Sequence, residues 1–240
     1  MKPTLLSPTM ISRRLTIPAT GSGKTILPNT ESDLNLPANI GIVGVSDSGI
    51  ENLAVSLIHE VGHFDRVFLI LDHPEEYQDL IRIYKDVGQQ FGKELITVLT
   101  DYDDLPSIDE FNCRDRNLVF CEKPIMEKDF KKMFRFWAGG RPRNITMIIL
   151  SHTVFCIPKW IRCNTNVLIL RGRVQKRDLE TLTTSNMTYI ADKTPEELRD
   201  MIEKCNPGGT GLTDFFMIDS NTRDPRYMFR KGFTPIDENR

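Results

Sequence analysis

The chain has 240 residues, 40% of them hydrophobic and 27% charged, with a net charge of -2. These are ordinary values for one compact globular domain, and the sequence shows no internal repeat and no long low-complexity tract. No apolar run approaches the roughly 20 residues that span a bilayer, and the N-terminus has no signal-peptide core, so a soluble chain is expected. Five cysteines without a C-x-x-C pair point to a reducing compartment rather than a disulfide framework.

Residues 1–36 read as an N-terminal arm and 37–240 as the folded domain. The arm holds Thr20-Gly21-Ser22-Gly23-Lys24-Thr25, the composition of a phosphate-binding loop with Gly21, Gly23, Lys24 and Thr25 as its contacts. Such a loop works only when its backbone N–H groups and the N-terminus of a following helix point at the anion. After Thr25 come Pro28 and a run of polar turn-formers up to Pro37, with no helical period.

A second loop has the complementary fault. In Asn39-Ile-Gly-Ile-Val-Gly44-Val-Ser-Asp-Ser-Gly49-Ile-Glu51, a strand over Ile40 to Val43 runs into two glycines five apart, and a helix over Asn52 to Val61 follows. This is the frame of G-x-x-x-x-G-K-[ST]. Its contacts would be Gly44, Ser46, Ser48 and Gly49, but Ile50 holds the lysine position and Glu51 the hydroxyl position. The helix carries His59-Glu60-Val61-Gly62-His63. In an H-E-x-x-H motif two histidines one turn apart hold zinc while the glutamate activates water, so His59 and His63 are candidate metal ligands of a peptidase.

Further on, apolar patterning predicts strands over Arg66 to Leu71, Leu95 to Leu99, Asn117 to Phe120, Ile145 to Leu150 and Val167 to Leu170, with helices over Glu75 to Phe91 and Glu127 to Ala138 between them. Thr194-Pro195-Glu196-Glu197 starts a later helix, with an N-cap, a proline at N1 and acids in the first turn. Phe215 to Asp219 reads as the last strand. Strands alternating with helices imply an α/β fold whose mainly parallel sheet has helices on both faces.

The charge is segregated. From Asp72 to Glu110 eleven acids face three bases, and from Lys123 to Arg177 thirteen bases face two acids. The clusters around Arg141 and Arg143, around Lys159 and Arg162, and over Arg171, Arg173, Lys176 and Arg177 fall at strand ends, where a polyanion or an acidic neighbouring subunit could be met.

The order of these pieces resembles the viral genome-packaging ATPases of the FtsK/HerA type, a P-loop NTPase-like group typified by the poxvirus packaging ATPase. The resemblance runs from Leu36 to Phe233. It is carried by Asn39 to Gly49, by Asn117-Leu-Val-Phe-Cys121-Glu122, by Phe136 to His152 with a "GRH"-like turn and polar sensor, by Pro158 to Asn164, and by Phe215 to Asp219 with Arg226 to Arg230. It implies ATP and magnesium as ligands, with Glu122, His152, Arg141 and Arg162 at the catalytic positions. Partners would be further copies of the chain, capsid or packaging proteins, or duplex DNA, in a virion, the host cytoplasm or a viral assembly site.

The departures lie at the chemistry. Lysine, hydroxyl and metal-binding acid are replaced by Ile50, Glu51 and Cys121, and the turn's histidine by Pro142. Because catalysis of phosphoryl transfer is nearly all electrostatic positioning, these losses imply a pseudo-ATPase without a resident cofactor, serving structure, assembly or packaging. Two alternatives stay open on the sequence: an active packaging ATPase using Lys24, and a zinc peptidase.

Overall fold

A computed structural model describes residues 34–184, 190, 193–206, 213–222 and 224–236. Nine strands form one sheet: β1 (Asn39–Gly44), β2 (Arg66–Ile70), β3 (Ile96–Leu99), β4 (Asn117–Cys121), β5 (Ile145–Ser151), β6 (Val167–Arg171), β7 (Phe216–Asp219), β8 (Phe229–Lys231) and β9 (Thr234–Pro235). Their spatial order is β3-β2-β4-β5-β1-β6-β7-β8-β9. The pairs from β3 through β6 are parallel, and β7 to β9 continue the sheet antiparallel.

The helices are α1 (Ile50–Glu60), α2 (Gln78–Phe91), α3 (Phe130–Gly139), α4 (Lys159–Cys163), α5 (Lys176–Thr184) and α6 (Pro195–Cys205). Two apolar cores lie on opposite sides of the sheet, as a parallel sheet buried on both faces requires. Ile40, Ile42, Phe120, Ile148 and Ile169 pack with Leu53 and Leu57 of α1 and Leu80 and Tyr84 of α2. Val43, Val119, Met147 and Leu168 face the other way, onto Phe136 and Trp137 of α3, Ile161 of α4, Leu179 of α5 and Ile202 of α6. The expected α/β architecture with helices on both faces is present.

Several boundaries and elements differ from the sequence expectation. The turns Pro74–Tyr77 and Glu127–Asp129 are 3-10 segments leading into α2 and α3. Phe216–Asp219 is not the last strand, since β8 and β9 follow it. The short helices α4 and α5 occupy stretches in which the sequence pattern shows only basic clusters. Among the described residues no helix is long and apolar enough to cross a membrane.

Candidate functional site

Parallel strands deliver their C-terminal ends to one edge of the sheet, where ligands of such folds bind. That edge carries the loop after β1, Glu122 after β4, His152 after β5, and Arg171 with Arg173 at the end of β6. Because β1 lies between β5 and β6, the loop is flanked by His152 on one side and Arg171 on the other. Gly44 pairs in register with Arg171, and the Nδ1 of His152 lies 3.4 Å from the Gly44 carbonyl.

The loop backbone is built for close approach. A Cβ on Gly44 would lie 2.5 Å from Ile50 Cγ2, 2.6 Å from Ser48 Oγ and 2.9 Å from the Arg171 carbonyl oxygen. Gly49 caps α1 at φ 71°, in the left-handed region, and no side chain caps the helix. The Ser48 N–H donates to the Val45 carbonyl at 3.1 Å, closing the turn. Ser46 is exposed, whereas the Ser48 hydroxyl is buried without a hydrogen-bond partner among the described residues.

The side chains around this cradle do not fit magnesium and a triphosphate. Ile50 is 1% exposed and belongs to the core beneath α1. Cys121, at the position of the metal-binding acid, is fully buried in the core on the other face of the sheet, and burial pushes its thiol up to about 12. Glu122 uses its Oε2 to accept from the backbone N–H groups of Asp72 at 2.8 Å and His73 at 3.2 Å. Desolvation, and then the negative charges of Glu51 and Glu122, raise the carboxyl of Glu76. The buried hydroxyl of Tyr77 is raised by desolvation and by the same acids. Glu51, Glu76 and Glu122 are thus near enough to act on one another through their charge, which disfavours a further anion beside them.

Arg171 corrects the sequence expectation. Read as a surface residue for nucleic acid or a partner, it is 4% exposed. The cause is strand alternation: Val167 and Ile169 point to the α1 side of the sheet, and Arg171 is the next residue of that parity. Its Nη2 would lie 3.9 Å from a Cβ on Gly49. Arg173, Lys176 and Arg177 are exposed. Lys176 and Arg177 open α5, and the Arg177 guanidinium lies 3.3 Å over the ring of Phe155.

Other candidates are not brought together. Arg141 is exposed in a 3-10 turn before β5, at the sheet edge opposite the loop. Arg162, on α4, donates to the carbonyls of Val154 at 3.4 Å and of Ile157, so its guanidinium braces the connection after β5. The basic clusters thus occupy both edges instead of one face. The H-E-x-x-H geometry also fails: α1 ends at Glu60, Gly62 adopts φ 94°, and His63 lies beyond the helix, 3.4 Å from Asp65. Burial lowers the pKa of His59. Among the described residues no group of three ligating side chains could hold a metal. Gly21, Gly23, Lys24 and Thr25 lie outside the described residues.

No protein-family model matches the sequence, and no curated protein matches it. Solved structures do. The DNA-packaging ATPase B204 from Sulfolobus Turreted Icosahedral Virus superposes with a TM-score of 0.52 at 14% identity, over 85% of this chain and 100% of that one. The genome packaging NTPase B204 from Sulfolobus turreted icosahedral virus 2 in complex with AMPPCP gives 0.51 at 12% identity, over 85% and 100% of the two chains. The chain has the fold of the viral genome-packaging NTPases. A third match, that same NTPase in complex with sulfate, has a TM-score of 0.50 at 12% identity, over 85% of this chain and 99% of that one. At such identities the shared packaging-NTPase fold fixes the path of the backbone, and the chemistry must be read from this chain's own side chains.

Proposed function

We propose that this protein is a virion-associated subunit of packaging-NTPase fold that does not hydrolyse ATP and acts as a structural, assembly or packaging accessory component. The observation that carries the proposal is Ile50, 1% exposed in the core at the position from which a lysine would reach the phosphates. Electrostatic stabilisation of the transferring group is the main source of rate in this chemistry. Here the lysine's charge is missing from the loop, and Glu51, Glu76 and Glu122 place negative charge beside it. The partners proposed are further copies of the chain, capsid or packaging proteins, or duplex DNA at the edge bearing Arg173, Lys176 and Arg177.

The test is Mg-ATP hydrolysis by the full chain and by Lys24→Ala. The expected result is no turnover above background in either. Turnover that survives Lys24→Ala would sink the proposal, and turnover abolished by it would place the working site in the upstream loop.

A further inference from the structure

We propose that the outer surface of α3 and α4 docks this chain peripherally on an anionic membrane, with Met126, Phe134 and Trp160 entering the interface and Lys131 and Lys159 meeting lipid phosphates. The inference does not depend on whether the 44–51 loop binds nucleotide.

The first support is apolar surface that the fold leaves uncovered. Met133, Phe136 and Trp137 turn one side of α3 onto the sheet. Met126, Phe130 and Phe134 recur at intervals of four through the 3-10 turn and into α3, so they run as a stripe along it. Met126 is 58% exposed and Phe134 49%. Trp160 of α4 closes the group, with ring centroids 5.9 Å from Phe130 and 5.5 Å from Phe134. Single exposed hydrophobes are normal on a protein surface, whereas a contiguous group of them marks a site of interaction.

The second support is the charge around that group. Lys131 lies one turn before Phe134, and Lys159 directly precedes Trp160. Both lysines are exposed, and neither side chain has an ion pair or hydrogen bond among the described residues. Lys128 and Arg135, by contrast, are met by Asp101 and Asp109. From Lys123 to Cys163 the only acids are Glu127 and the buried Asp129. Apolar tips flanked by unmet lysines complement a surface that is negative outside and apolar beneath, which is a bilayer containing acidic lipids. The apolar stem of lysine lets its ammonium stay at the phosphates while the neighbouring ring sinks deeper.

The third support is Trp160 itself. Trp137, in the core, donates its indole N–H to the Ile161 carbonyl at 3.1 Å. The indole N–H of Trp160 has no such partner among the described residues. An apolar ring with a free N–H suits the headgroup level of a bilayer. Nucleic acid, the other polyanion, fits this face less well. The phenyl rings stand at 73° and 67° to the indole and so give no parallel row of open faces for successive bases.

The experiment is flotation of the full chain at physiological salt with vesicles of phosphatidylcholine and phosphatidylserine in equal parts, and with phosphatidylcholine alone. Tryptophan emission is followed in parallel; Trp137 is 1% exposed, so a blue shift reports Trp160. Binding with a blue shift is expected on the acidic vesicles and not on phosphatidylcholine. Lys131→Gln with Lys159→Gln should weaken it about 25-fold, or about 5-fold for each lysine near the surface. Phe134→Ser should weaken it about 10-fold through lost apolar burial, and Phe134→Trp should restore it. Should Phe134→Ser not fold, Met126→Ser at the more exposed position carries the same test. Arg173→Gln, at the loop edge, should bind like the parent. Absence of binding to acidic vesicles, a folded Phe134→Ser that binds like the parent, or an Arg173→Gln as weak as the lysine pair would overturn the proposal. An oligothymidylate that binds where vesicles do not, and is lost in the same variants, would also overturn it and assign the face to nucleic acid.

Discussion

Position 44 shows how tightly the loop is specified. Alanine there would bring a methyl group to 2.9 Å from the Arg171 carbonyl oxygen and 2.5 Å from Ile50 Cγ2, and the backbone contact leaves no flexible atom to give way. Gly44→Ala is expected to cost about 1–3 kcal/mol, the usual range for overpacking a well-filled site. Urea denaturation measures it, and an unchanged midpoint would show that the loop is looser than its geometry indicates. The glycines are legible in the sequence because their spacing is local. Arg171 is not, because its neighbours in the sequence, Arg173, Lys176 and Arg177, are solvent-facing and make it look like one of them. The alternation Val167, Ile169, Arg171 contains the signal, but it becomes informative only once β6 is known to lie beside β1.

At the scale of elements, the start of α6 is readable for the same reason the loop glycines are. Thr194 accepts from the Glu197 N–H at 3.2 Å, and the Glu197 carboxylate accepts from the Thr194 N–H at 2.7 Å. Thr194→Ala should destabilise the fold by about 1 kcal/mol, seen as a lower denaturation midpoint at neutral pH. The hydrogen bonds from Thr194 hold the Glu197 carboxyl below its ordinary value. That stabilisation is therefore present above the unfolded carboxyl pKa and lost as pH falls through the folded one. The gap between parent and Glu197→Ala, which removes the carboxylate that accepts from the Thr194 N–H, should narrow on acidification, and a gap independent of pH would contradict the capping role of Glu197. By contrast, β8 is too short for a readable period. It is fixed from a distance, by the buried pair of Arg230 Nη2 and Asp219 Oδ2 at 2.9 Å. Removing one partner, as in Arg230→Met, should cost about 3–5 kcal/mol by stranding a buried charge. A thermal melt of that variant indistinguishable from the parent would show that the strand is held by apolar packing alone.

For the whole molecule, part of the segregated charge of the sequence is met inside one chain. Lys123 lies 3.7 Å from Asp72 and Lys128 3.1 Å from Asp101, while Arg135 and Arg143 both meet Asp109, at 3.2 Å and 2.7 Å. Exposed pairs of this kind add little stability, but they weaken the field that the basic half would otherwise present. Composition alone cannot show this, because the pairs join residues far apart in the chain. At the loop edge lie exposed Arg173, Lys176 beside Glu180 at 3.8 Å, and Arg177 stacked on Phe155. If that edge meets duplex DNA, the logarithm of the affinity should fall linearly with log salt, and charge reversal of Arg173, Lys176 and Arg177 together should flatten the slope by about 0.9 for each phosphate no longer neutralised. Reversing Lys128 and Arg135, whose charges are already met within the chain, should leave the slope unchanged. Fluorescence anisotropy with a short duplex between low and physiological salt separates the two sets. Equal effects from both would mean diffuse attraction without a binding edge. An unaltered slope in the triple variant would remove DNA as the partner of this edge.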